Sequence, residues 1–134
     1  MKKLLVTSGT LFLFMALFVA AAVDGSWKGY VEGQYNVTAD IQIAGTDVTG
    51  TLAIIDNNPK SENPDDSGYS PFVAAQMGKN AILNGKVEGE AITFSTMFNG
   101  KPVNYKGSIV GEKLVLTTTF NEQPVKITLS KVKK

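Results

Sequence analysis

The sequence predicts an all-β protein: an eight-stranded antiparallel up-and-down β-barrel with one long insertion, read as a short helix. Three observations predict it. Segments recur every 22 residues, as in Gly85-Lys86-Val87-Glu88-Gly89-Glu90-Ala91-Ile92 and Gly107-Ser108-Ile109-Val110-Gly111-Glu112-Lys113-Leu114. The segments alternate apolar and polar residues, the period-two signature of a half-buried strand. Four of the strands also carry a glycine at an inward position, where a sheet bends in order to close.

The chain opens with an export signal. Met1-Lys2-Lys3 is basic, Leu4 to Val23 carries no charge, and Ala20-Ala21-Ala22 supplies small residues for cleavage. Residues 1–22 read as a signal peptide and residues 23–134 as the barrel domain. An uncleaved anchor is the alternative, since about 20 apolar residues span a bilayer. Cleavage removes Lys2 and Lys3 and takes the net charge from +1 to −1. The expected location is periplasmic or extracellular, with no stable membrane insertion after cleavage.

Strands are expected at 26–33, 35–44, 47–56, 80–88, 91–98, 102–110, 113–120 and 124–132. Gly33-Gln34, Gly45-Thr46-Asp47, Asn99-Gly100-Lys101, Gly111-Glu112 and Asn121-Glu122 carry turn chemistry between them. The repeat continues through Phe98-Asn99 and Phe120-Asn121, and through Pro102-Val103 and Pro124-Val125. A 22-residue unit of two alternating runs and two turns is a β-hairpin. Gly29, Gly50, Gly85 and Gly107 each sit between apolar residues two positions away, the pattern of barrel curvature.

Nearly all the length beyond eight strand units lies at 57–79. Residues 57–68 are polar and turn-rich, hence a loop. Ser70 is placed to cap, Pro71 to take the first helical position, and Gly78 to end the turn after the mostly apolar Phe72 to Met77. These features predict a helix at 71–77, with a ninth strand as the alternative. A helix on an insertion beside a barrel mouth works as a plug or lid.

Composition narrows the chemistry. The chain has no Cys, no His and no Arg. Without Cys there is no disulfide, no thiolate and no lipid-modified anchor, so the protein is not a lipoprotein. Without His the usual acid–base group and the commonest metal ligand are missing. Net charge near zero and scattered Lys give no basic stripe for nucleic acid. Asp56, Glu62, Asp65 and Asp66 cluster around the long loop. Their spacing matches no EF-hand, so they read as a solvated acidic loop. No metal, no cofactor and no enzymatic activity is expected.

Gly25-Ser26-Trp27 at the start of the first strand, ahead of an eight-strand meander, resembles the lipocalin and wider calycin barrels. The resemblance is closest to small secreted lipocalin-like domains of bacteria. It is carried by Trp27-Lys28-Gly29, by Asn99-Gly100-Lys101-Pro102-Val103-Asn104-Tyr105-Lys106-Gly107 and by Thr128-Leu129-Ser130-Lys131-Val132-Lys133. It implies that Trp27 packs at the closed end of the barrel. The family's C-terminal Arg, which stacks on that Trp, has no counterpart, leaving Lys131 or Lys133 to substitute by cation–π contact.

An eight-stranded barrel is just wide enough to fill with side chains or to hold one small ligand. Trp27, Phe94, Phe98, Tyr105, Phe120, Leu116, Ile41, Leu52 and Ile127 point inward, which fits a filled core as well as a pocket. Thr96 and Thr118, one period apart, are polar at inward positions and suit either a ligand's hydrogen bonds or the backbone. The candidate ligand-binding residues are Phe72, Met77, Phe94, Thr96, Phe98, Tyr105, Thr118 and Phe120. The expected function is an exported barrel binding a small apolar or amphipathic ligand at its mouth. The alternative is a non-enzymatic accessory domain with a filled barrel. It would dock onto a larger exported protein, such as a glycan-processing enzyme, through an exposed patch at Tyr30, Tyr35, Tyr69 and Phe72.

Overall fold

A computed structural model of the chain describes residues 22–57 and 69–132. In chain order the elements are β1 (Gly25–Val31), β2 (Tyr35–Ala44), β3 (Asp47–Ile55), helix α1 (Pro71–Gln76), β4 (Gly78–Ala81), β5 (Leu83–Glu88), β6 (Ala91–Phe98), β7 (Lys101–Val110), β8 (Lys113–Phe120) and β9 (Gln123–Lys131). Every ladder is antiparallel. Strands pair with their chain neighbours, and β9 pairs with β1 to close the ring. Both β4 and β5 pair with β3, so they form one broken stave of an eight-stave barrel. The predicted signal peptide at 1–22 lies outside the described residues except for Ala22, as do the loop acids Glu62, Asp65 and Asp66.

The single strand expected at 80–88 is the one that differs. Thr51 pairs with Ala81, but Val48 pairs with Gly85, so three steps along β3 face four on its partner. The register against β6 slips over the same stretch, between Leu83 and Lys86. This is a one-residue bulge, and Asn84 absorbs it at a φ of 53°. The Ile82 N–H keeps a bond to the Gly50 carbonyl at 2.9 Å. Inward positions consequently switch parity, from Asn80 and Ile82 to Gly85 and Val87.

The four inward glycines lie where the chain crowds itself. A Cβ on Gly50, whose φ is 136°, would stand 1.8 Å from the Asp40 carbonyl oxygen. A Cβ on Gly107 would meet Ile92 Cγ1 and Leu116 Cδ2, both at 2.9 Å. Around them Val37, Ile41, Leu52, Ile54, Ile92, Leu114, Leu116, Ile127 and Leu129 fill the interior.

One end of the barrel is closed by Trp27. Its indole N–H donates to the Val23 carbonyl at 2.8 Å, and Val23 is itself buried. Lys131, opposite Trp27 in the β1–β9 ladder, holds its ammonium 5.6 Å from the ring centroid. That supplies the expected cation–π contact; Lys133 lies outside the described residues.

At the other end the barrel wall has three seams. One lies between β4 and the end of β6, because the β5–β6 ladder stops at Leu83↔Ser95 and β4 pairs with β3 alone. The β7–β8 ladder stops at Tyr105↔Thr118, although β7 reaches back to Lys101 and β8 runs on to Phe120. The Thr118 hydroxyl instead donates to the Asn104 carbonyl at 2.5 Å. Asn104 therefore turns its backbone toward β8, and so does residue 102, two positions away on the same strand. Residue 102 is a proline with no N–H to offer. The β9–β1 ladder stops at Thr128↔Tyr30, leaving 123–127 unpaired on that side. Pro124 sits there, one period on from Pro102. The tip of the β8–β9 hairpin, residues 119–124, is thus laddered only to itself.

Candidate functional site

Helix α1 lies over the seamed end. Ser70 caps it as expected, accepting a bond from the Val73 N–H at 3.2 Å, with Pro71 in the first turn. The Ser70 hydroxyl also donates to Glu32, in the β1–β2 turn, at 2.5 Å. The helix ends one residue earlier than expected. Met77 has extended backbone, is half-buried, and bridges to Ile54 of β3. Residues 72, 73 and 76 share one helical face, because positions three and four apart are neighbours on a helix. That face is Phe72, Val73 and Gln76, all buried against the mouth of the barrel.

Gln76 makes the mouth specific. Its Oε1 accepts from the Thr96 hydroxyl at 2.5 Å and from the Tyr105 hydroxyl at 2.8 Å. Gln76 and Thr96 are 0% exposed and Tyr105 is 3% exposed, so this is a dry polar cluster. The Gln76 Nε2 donates to the Ala75 carbonyl at 3.4 Å. Burial pushes the Tyr105 pKa far above its ordinary value, and the Thr96 hydroxyl beside it opposes this only in part. Tyr105 therefore stays a neutral donor throughout the ordinary pH range.

Aromatic rings enclose that cluster. Phe94 stacks on Tyr105 with centroids 5.0 Å apart. Phe72 wedges between Tyr105 at 6.4 Å and Phe120 at 6.0 Å, and Phe98 reaches Phe120 at 6.1 Å. Of the residues singled out in the sequence, Phe72, Phe94, Thr96, Phe98, Tyr105 and Phe120 thus converge at one mouth. Thr118 lies at the edge of the seam with its hydroxyl committed to the backbone, and Met77 lies toward β3. The sequence reading missed Gln76, which hid inside an apolar window; its position four after Phe72 was the available signal.

Two depressions flank the β8–β9 hairpin tip and share Pro124, Val125 and Lys126. A cleft of about 400 Å³ runs between α1 and the hairpin, lined by Val31, Phe72 and Phe120. A broader, more open one of about 970 Å³ lies over the β7–β8 seam, against Pro102, Asn104, Tyr105 and Thr118. All described lysines are exposed, while Glu32 and Asp56 sit near the mouth and accept bonds from Ser70 and Tyr69. The interior cluster therefore has no buried cation among the described residues.

The expected exposed tyrosine patch does not form. Tyr30 is 62% exposed on the outer wall, but Tyr35 and Phe72 are buried. Tyr35 begins β2 on the inward parity of Val37, Ala39 and Ile41. Tyr69 meets Tyr35 edge-on at 5.3 Å and donates to Asp56 at 2.9 Å.

No protein-family model matches the chain, and no curated protein matches it. Among solved structures it is similar to the wild-type fluorescent protein UnaG, with a TM-score of 0.50, 15% identity, and coverage of 84% of this chain and 99% of that one. A mutant of UnaG gives a TM-score of 0.52 at 15% identity, covering 85% and 99%. The chain has the lipocalin-like, calycin barrel fold. At this identity the likeness is one of fold, and the chemistry of the mouth rests on this chain's own residues.

Proposed function

We propose that this protein is an exported, non-enzymatic barrel that holds one small apolar or amphipathic molecule at its helix-covered mouth. Export would use residues 1–22 as a cleaved signal and deliver the barrel to the periplasm or the medium. One observation carries the binding reading. Two wall hydroxyls, Thr96 and Tyr105, converge on a single side chain supplied by a six-residue helix, inside an otherwise aromatic enclosure. Binding pockets have this composition: mostly apolar, with a few placed polar groups. The unpaired hairpin tip beside α1 offers an access route that leaves the barrel ladders intact. On this reading α1 shifts outward and the ligand takes the place of Phe72 and Gln76.

The test uses protein recovered from the exported fraction after expression of the full chain. Titration with the neutral fluorescent probe N-phenyl-1-naphthylamine should saturate at one probe per chain. Replacing Phe120 by Trp, which fills the mouth, should weaken it. Absence of any saturable signal, with no small molecule found by native mass spectrometry, would refute the proposal.

A further inference from the structure

We infer that the mouth selects an uncharged ligand bearing a hydrogen-bond acceptor oxygen, such as an ester or amide carbonyl on an apolar chain, over a carboxylate. The inference rests on the binding reading above and deepens it. Gln76 Oε1 is a neutral carbonyl oxygen, and it already sits where Thr96 and Tyr105 both donate. The helix thereby occupies the site with the group that the site recognises. A ligand that displaces α1 must satisfy the same two hydroxyls, or leave both buried and unpaired.

Charge decides between the ligand classes. A carboxylate would accept from both hydroxyls, but it would also enter a dry cluster that holds no cation among the described residues. Thr96 and Tyr105 are buried, and every described lysine is exposed. The sequence has no Arg to serve as a fork. Burying an unpaired charge is far more costly than burying a hydrogen-bonded carbonyl. Glu32 and Asp56 near the mouth add repulsion toward an anion. Tyr105 cannot offset this by titration, since it remains neutral.

Four probes of equal chain length test it: methyl decanoate, decanamide, decanoate and decane, each displacing N-phenyl-1-naphthylamine at pH 8 below its micellar or solubility limit. Methyl decanoate and decanamide should each displace at least about tenfold more effectively than decanoate, a difference of about 1.4 kcal/mol. Lowering the pH through the carboxyl range, about 4–5, should bring decanoate level with the ester and the amide. Within the Thr96→Val/Tyr105→Phe double variant, read as the ratio of the two affinities, the ester should lose its advantage over decane. Decanoate binding as well as the ester at pH 8 would overturn the inference and leave the binding reading intact. So would decane matching the ester in the parent protein, or decanamide binding where the ester does not. Failure of all four probes and of the naphthylamine would instead remove the binding reading itself.

Discussion

Replacing Gln76 by Leu tests whether α1 is seated as described. Leucine keeps roughly the volume of the side chain and deletes the acceptor used by Thr96 and Tyr105. Both hydroxyls are buried, so neither gains water in exchange. An orphaned buried donor costs about 1–3 kcal/mol. The two hydroxyls can bond to each other, which relieves part of the loss, and the apolar side chain recovers about 1 kcal/mol by burial. The net cost should be about 2–3 kcal/mol. Urea unfolding followed by Trp27 fluorescence measures it, because the single tryptophan lies at the opposite end of the barrel and reports global unfolding. Adding Thr96→Val and Tyr105→Phe to Gln76→Leu should restore more than half the loss, since no polar group of the cluster is then left unpaired. The same pair of changes alone should be destabilising, because Gln76 then loses its partners. A Gln76→Leu protein within about 0.5 kcal/mol of the parent, with no coupling to the two hydroxyls, would refute the docking of α1.

Other outcomes follow from the same geometry. Gly50→Ala should cost more than about 3 kcal/mol or prevent folding, since its Cβ would overlap the Asp40 carbonyl. Gly100→Ala, at a φ of 76° with nothing within 4 Å, should cost only about 1–2 kcal/mol; thermal melting of the two variants checks the order. The folded-state pKa of Tyr105 is raised, so its neutral form contributes stability that is complete below the unfolded value of 10.0 and is lost as pH rises above it. The stability gap between the parent and Tyr105→Phe should therefore be constant from neutrality to about pH 9 and shrink at about pH 11, read from urea midpoints. Lys131→Leu keeps the stem over Trp27 and deletes the charge, so it should cost no more than about 1 kcal/mol while shifting the tryptophan emission.

Most of the barrel was legible because alternation is a local signal with a physical period. The strands at 35–44, 91–98 and 113–120 coincide with the observed β2, β6 and β8. Ser70 and Pro71 made α1 legible by capping chemistry alone. Stave four was misread because Asn84 adds a residue beside Gly85, a glycine already read as inward curvature of an unbroken strand. The burial of Tyr35 was present in its parity with Val37, which the grouping with Tyr30 in an exposed patch overlooked. Pro102 and Pro124 stood out as one period of the repeat. Their missing N–H groups acquire meaning only once the facing strand is known, so the seams had no signature along a single chain. Gln76 was hidden for a similar reason: an amide in an apolar helix gains a role from partners 20 and 29 residues away.

The hairpin tip at 119–124 has a thermodynamic consequence. Where a strand is laddered on both sides, moving it outward breaks main-chain bonds to a neighbour, so local and global unfolding are tied together. At this tip neither flank has such bonds to lose. Outward motion is opposed by the packing of Phe120 against Phe72 and Phe98 and by the partial burial of Val125. The free energy of opening the mouth is therefore set by a few side chains and is separable from the stability of the whole. Substitutions at those positions should retune the lifetime of whatever the barrel holds while leaving its melting temperature nearly fixed.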